Sequence, residues 1–211
     1  MTSKITILQA SPAIQPLRDK IKTAAKKSFQ LVKKYIPIDN VDIVIFDHAY
    51  GTIKHLGVGG YAPNSHTVLV YIDPKHKAFQ KNINEYLLGT IAHELHHVMR
   101  WRGPGYGKTL FEALITEGLA DHFETEVRGG TPGKWDTALT DKEIQRLLKL
   151  AKKEFDNENY NHAEWFFGSK KRNIPYWTGY SLGFYLVGEY LKRYPNKKAS
   201  SLYSLNANKF R

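Results

Sequence analysis

Apolar residues recur at three- and four-residue intervals over residues 87–99, which is the period of an amphipathic α-helix. On a wheel of roughly 100° per residue, His93 and His97 share one stripe, and the apolar stripe lies about opposite. Glu94 is displaced by roughly a quarter turn from the two histidines. The pattern therefore predicts a helix whose titratable side chains face away from the core.

The spacing of His93, Glu94 and His97 is that of H-E-x-x-H, in which two histidines bind one Zn²⁺ and the glutamate acts as general base. The alternative is a chance pattern on a solvated polar face. A catalytic zinc needs a third protein ligand and an open fourth position, so the rest of the chain has to offer a suitable residue. His96 lies off this stripe, and we expect it to pack or to form hydrogen bonds.

The segment Leu110–Glu124 supplies such a residue on a second predicted helix. Its apolar residues cover most of the circumference, so the helix should be buried. Glu117 and Asp121, at i and i+4, fall on a largely apolar stripe, where an unpaired carboxylate would be costly to desolvate. Glu117 completes a His, His, Glu ligand set, and Asp121 could accept the free ring N–H of a ligating histidine. The glycines and proline of Arg102–Lys108 can reverse the chain between the two helices.

The remaining patterns order the rest of the fold. Apolar spacing predicts a long helix from Ile14 to Ile36, ended by Pro37. Strands are predicted at 5–8 and 41–46 and on either side of the turn 62–65, and helices at 141–155, 177–194 and 199–205. This order predicts an α+β fold, with an N-terminal helix, a small mixed sheet and the active-site helix in an upper lobe, about 1–103. An α-helical C-terminal lobe, about 104–211, completes a single domain spanning 1–211.

Three motifs carry a family resemblance: HELHH from His93 to His97 with Arg100 after it, EGLAD from Glu117 to Asp121, and GYxxG at Gly179, Tyr180 and Gly183. The chain resembles gluzincin metallopeptidases, which combine H-E-x-x-H with a downstream E-x-x-x-D. Within that group it is similar to the predicted zinc-dependent proteases grouped as domain of unknown function 2268. The resemblance spans roughly 59–187 and implies a zincin-like fold and a peptide or protein substrate. It implies that His93, His97 and Glu117 are the zinc ligands and that Glu94 is the base. It also implies that Asp121 is the hydrogen-bond partner of a ligating histidine.

The resemblance also suggests how substrate binds and how the oxyanion is stabilised. In zincins an edge strand beside the cleft binds extended peptide, and residues 58–72 would supply it here; the alternative is an ordinary hairpin. Tyr180 stands beside the groove left by Gly179 and Gly183, and its phenol is a candidate catalytic donor to the tetrahedral oxyanion. His162 and Tyr176 are rival donors, and simple packing of Tyr180 is the alternative.

Charge and composition restrict the remaining possibilities. The 211 residues include 31 Lys and Arg against 20 Asp and Glu, a net charge of +11 that invites a nucleic-acid partner. The lysines are spread along predicted helices as solvated faces usually are, and no RRM, KH or zinc-finger signature accompanies them. We therefore expect no nucleic-acid partner. The absence of cysteine excludes disulfides and Cys-ligated zinc.

The sequence has no apolar run long enough to span a membrane and no secretory signal pattern at its start, so we expect a cytoplasmic protein without a membrane span. The leading hypothesis is a zinc-dependent metallopeptidase. Two alternatives stay open: a zinc-bearing binding protein without turnover, and a basic nucleic-acid-binding domain. The sequence does not predict the oligomeric state.

Overall fold

The structure is a computed structural model that describes residues 3–211. It is an α+β protein with a four-stranded mixed sheet and seven α-helices among these residues, as the sequence predicted. The chain divides into two compact units, with the boundary between Arg102 and Gly103. Its organisation as a single domain stays a prediction.

The first unit contains the whole sheet. Its strands are β1 (Lys4–Ile7), β2 (Asp42–Asp47), β3 (Val58–Asn64) and β4 (Thr67–Ile72). They lie in the order β1-β2-β4-β3, with β1, β2 and β4 parallel and β3 antiparallel to β4 at the sheet edge. The helices of this unit are α1 (Arg18–Val32), α2 (Lys77–Lys81) and α3 (Ile83–Trp101). Helix α3 packs on α1 and on strands β3 and β4.

The first helix is shorter than its apolar pattern predicted. A 3-10 segment, Pro12–Leu17, precedes it, and the α-helix itself begins at Arg18. Pro16 lies inside the 3-10 segment, and its missing N–H and ring are incompatible with the interior of an α-helix. Helix α1 ends at Val32, several residues before Pro37, which disfavours helical backbone in the residue before it.

The second unit is helical. Its helices are α4 (Leu110–Arg128), α5 (Asp141–Lys152), α6 (His162–Phe167) and α7 (Thr178–Arg193). The helix predicted at 199–205 is only a 3-10 turn, Ala199–Ser201, and α6 had no counterpart among the predictions.

Helix α4 has clear start and stop signals. The Thr109 hydroxyl accepts a hydrogen bond from Glu112 N, and the Glu112 carboxylate accepts one from Thr109 N, which forms a capping box. The helix ends at Gly129, whose φ of 60° is a left-handed conformation that glycine adopts at low cost. Most side chains of α4 are buried, as its apolar circumference predicted.

Helices α4 and α7 are in backbone contact. A Cβ atom at Gly118 would lie 2.2 Å from the carbonyl oxygen of Gly183, and one at Gly183 would lie 2.2 Å from that of Leu114. Of the two glycines predicted to leave a groove on α7, Gly183 is therefore the one that receives another backbone. Gly179 faces the Phe166 ring instead.

None of the helices within residues 3–211 combines the length and the apolar content that a transmembrane span needs.

Candidate metal centre

His93 and His97 lie one turn apart on α3, and the Nε2 atoms of their rings are close together. Their Nε2 atoms are 3.0 Å apart, and the ring planes are close to perpendicular. Zn–N bonds to histidine are about 2.0–2.1 Å long, so one ion can bind both nitrogens at this separation. The separation of the two histidine nitrogens in this unit is therefore suitable for binding zinc.

The rest of α3 secures the orientation of this pair. Ile91, Leu95 and Val98 are fully buried on the core side of the helix, as the apolar spacing predicted. His96 and Arg100 are also buried. Burial of His96 agrees with the expectation that it packs within the protein.

Glu94 lies against strand β3. Its side chain occupies the place that a residue larger than glycine would need at position 60: a Cβ there would lie 2.5 Å from Glu94 Cγ and 2.6 Å from Oε1. The Glu94 charge also acts on Tyr71, whose pKa is raised first by burial and then by this carboxylate. Glu94 thus points toward the edge of the sheet, and Gly60 is small because the carboxylate needs the space.

Glu117, on α4, is held by Tyr106, a residue of the predicted turn 102–108. The Tyr106 phenol donates a hydrogen bond to Glu117 Oε1 at 2.6 Å, and the Thr116 hydroxyl donates one to the Tyr106 carbonyl at 2.8 Å. Burial, followed by the Glu117 charge, raises the pKa of Tyr106 well above its ordinary value. The phenol therefore keeps its proton and acts as a donor.

Several other polar aromatic residues lie near Glu117. Burial raises the pKa of Tyr160 to about 12, with the Glu117 charge as the next cause. Burial lowers the pKa of His162, against an opposing effect of Glu117. The Tyr160 hydroxyl and His162 Nδ1 are 3.2 Å apart. His162 is thus neutral at neutral pH and near the carboxylate.

The other two candidate donors differ in their surroundings. Tyr180 packs edge-on against Phe166, with ring centroids 5.1 Å apart, and its charge contributes to the raised pKa of Tyr106. Tyr176 is 55% exposed and contacts Phe167 and Trp177. Within the second unit, Tyr180 therefore shares the surroundings of Glu117, whereas Tyr176 is exposed beside two other aromatic rings.

Asp121 is buried one turn after Glu117 and is bound by two residues that no motif had indicated. The Trp135 indole donates a hydrogen bond to Asp121 Oδ1 at 3.0 Å. Asp136 forms a side-chain hydrogen bond with Asp121 and accepts one from Gly133 N at 2.6 Å. Burial, followed by the charges of Asp121 and Glu124, raises the pKa of Asp136 far above its ordinary value. Asp136 is therefore protonated and bridges to Asp121.

Comparison with known proteins assigns the chain to a family. A family model described as predicted Zn-dependent protease (DUF2268) matches residues 19–211. The chain belongs to this family. The resemblance drawn from the HELHH, EGLAD and GYxxG segments is thereby confirmed, whereas membership of the gluzincins stays a prediction. No curated protein matches the sequence.

Proposed function

We propose that this member of the family is a zinc-dependent metallopeptidase in which His93, His97 and Glu117 hold one Zn²⁺. Each of the three offers one ligand atom of a type that zinc binds. The observation that carries the proposal is the pair of facing Nε2 atoms on α3, 3.0 Å apart. The hydrogen bond from Tyr106 to Glu117 Oε1 supports it, because ligating carboxylates are commonly held by such partners.

When bound, zinc would lower the pKa of a water molecule and polarise the scissile carbonyl group. Glu94 takes a proton from the attacking water and passes it to the leaving amine. The contact of Glu94 with Gly60 supports this role, because Gly60 lies on an edge strand that can receive peptide. Asp121 would accept a ring N–H from a ligating histidine and so fix the orientation of that ring.

The oxyanion donor is assigned to Tyr180, with His162 as the nearest rival. Both side chains belong to the surroundings of Glu117, and both can donate a hydrogen bond while neutral. The same proposal includes three further points: the enzyme is of the gluzincin type, its chain forms a single domain, and it is located in the cytoplasm.

Two substitutions on α3 test the proposal. Glu94→Gln should retain zinc and lose cleavage of a peptide library, because the amide cannot accept the proton. His97→Ala should lose zinc after dialysis, measured by elemental analysis, whereas exposed His66→Ala should retain it. Stoichiometric zinc in His97→Ala would refute the ligand assignment.

The same experiment separates the alternatives. If wild type and Glu94→Gln bind zinc equally and neither cleaves any peptide, a zinc-bearing binding protein without turnover is favoured. Salt-sensitive binding of both proteins to nucleic acid, without zinc or cleavage, would instead favour the basic nucleic-acid-binding domain.

A further inference from the structure

The main-chain groups of β3 alternate between its partner strand and the outside of the sheet. Just outside the paired strands, the Gly57 carbonyl accepts a hydrogen bond from Asp73 N at 2.9 Å. In this register every second pair after it, Gly59 with Tyr71 and Tyr61 with Leu69, is therefore of the hydrogen-bonded kind. In an antiparallel ladder, the residues between these pairs direct their N–H and C=O groups the other way. Val58, Gly60 and Ala62 therefore present their main chain to the outer edge.

At two of these three residues the outward carbonyl group is already bonded. The Val58 carbonyl accepts a hydrogen bond from Ile53 N at 2.9 Å, and the Ala62 carbonyl accepts one from the Trp101 indole at 2.9 Å. Each donor is at the distance at which a neighbouring strand would place its own N–H. An added strand would therefore meet Ile53 at one end and the indole at the other.

Gly60 is the open position between them. Among residues 3–211, no main-chain or side-chain group bonds its outward N–H or C=O. Regular pairing with β4 is also interrupted after Tyr61 by a register shift. The edge thus offers one unoccupied pair of main-chain groups, and it lies directly beside the Glu94 carboxylate, which touches Gly60.

We propose that β3 binds peptide through Gly60 alone, as a single two-bond bridge bounded by Ile53 and Trp101. This rests on the proposed peptidase function and narrows its substrate class. Favoured peptides present one extended residue next to the scissile bond and need no strand on either side. The longer strand addition across 58–72 that the family resemblance suggested is blocked at both ends of Gly60.

The test is an N-methyl scan, because replacing one amide hydrogen removes one main-chain donor. A short peptide selected from a random library for binding to the Glu94→Gln protein is methylated at each amide in turn. Binding to Glu94→Gln and cleavage by wild type are measured in parallel. Methylation at one amide should weaken binding by about tenfold, which is the loss expected when a single buried hydrogen bond of about 1.4 kcal/mol is removed. Methylation at the other amides should not.

Trp101→Phe supplies the structural control, since it removes the indole N–H that occupies the Ala62 carbonyl. A second sensitive amide should then appear two residues along the peptide. Tyr61→Phe, on the same strand but with its main chain paired to β4, should leave the single-position pattern unchanged.

The possible results separate this proposal from the function on which it rests. Three results in the protein that retains Trp101 would each overturn the single-bridge proposal. They are sensitivity to methylation at two or more alternate amides, sensitivity at none, and failure to find any bound peptide. A single sensitive position without cleavage by wild type would uphold the bridge and overturn the peptidase function.

Discussion

Gly118 and Gly183 meet backbone to backbone where α4 and α7 cross. A Cβ atom on Gly118 would lie 2.2 Å from the Gly183 carbonyl oxygen, a distance that no side chain can occupy. The residue before Gly118 is Glu117, and Tyr180 lies one turn before Gly183. The contact therefore fixes the two helices that carry the proposed ligand and the proposed oxyanion donor.

We expect Gly183→Ala to lower the free energy of unfolding by about 2 kcal/mol, since the new methyl group would be 2.2 Å from the backbone oxygen of Leu114. Gly188→Ala on the same helix is the matched control. Its Cβ would have its nearest neighbour, His122 Nε2, at 3.5 Å, and the substitution should gain roughly 0.5–1 kcal/mol. Chemical denaturation measures both values, and equal stability of the two variants would contradict the close contact.

Tyr106→Phe should weaken zinc binding by about tenfold while the protein stays folded. The change removes the hydroxyl that donates to Glu117 Oε1 at 2.6 Å, and loss of such a partner commonly costs roughly 10- to 100-fold in metal affinity. The affinity for zinc is measured by competition with a chelator, and metal-free protein serves as the reference.

Tyr160→Phe is the control for this effect. It removes a hydroxyl from the same region, but that hydroxyl contacts His162 and not Glu117. The positioning role of Tyr106 would be refuted by wild-type affinity in Tyr106→Phe, or by equal losses in the two variants.

Tyr180→Phe should leave the fold and zinc content unchanged and lower kcat by roughly 10²-fold, the usual order for losing one oxyanion donor. Tyr176→Phe should have little effect, because Tyr176 is exposed and contacts other aromatic rings. An unaltered kcat in Tyr180→Phe, together with a strong loss in His162→Ala, would transfer the role to His162.

Asp136 should make the zinc-free protein less stable as the pH rises. Its pKa is raised in the folded state, first by burial and then by Asp121 and Glu124, so the native protein keeps a proton that the unfolded chain loses above about pH 4. The free energy of unfolding should fall with pH across the range from about 5 to 8, by at most ~1.4 kcal/mol per pH unit for one proton. Asp136→Asn should flatten this dependence.

The measurement is urea denaturation at a series of pH values in the presence of a chelator. Exposed Asp42→Asn should reproduce the wild-type slope. An unchanged slope in Asp136→Asn would show that the proton is not held at Asp136.

The sequence predicted those parts of the fold whose structure depends on residues close to one another along the chain, within one or two helical turns. The helical period around Ile91 and Leu95 indicated which face of α3 enters the core, and i, i+4 spacing is enough to bring His93 and His97 together. The strand at 42–47 followed from its alternating apolar residues.

The parts that it did not predict depend on irregular backbone and distant contacts. Tyr106 reaches Glu117 from a glycine-rich loop whose path no periodicity describes. Asp136 is a polar residue in another irregular segment, and such residues are usually exposed; only the fold brings it to Asp121. A tyrosine among glycines just before a ligand-bearing helix is the one signal that could have indicated Tyr106. The occupation of the β3 edge by Trp101 likewise requires tertiary structure.

The extensive burial of α4 has a consequence for amide hydrogen exchange. Helix α5 buries only Leu147 and Ala151 and can open locally, so its amides should exchange early. The central amides of α4 are enclosed on most sides and lie between a capping box and a glycine stop, and we expect them to exchange only when the whole unit unfolds. Glu117 and Asp121 therefore keep their positions through the local openings that the more exposed helices undergo on shorter timescales.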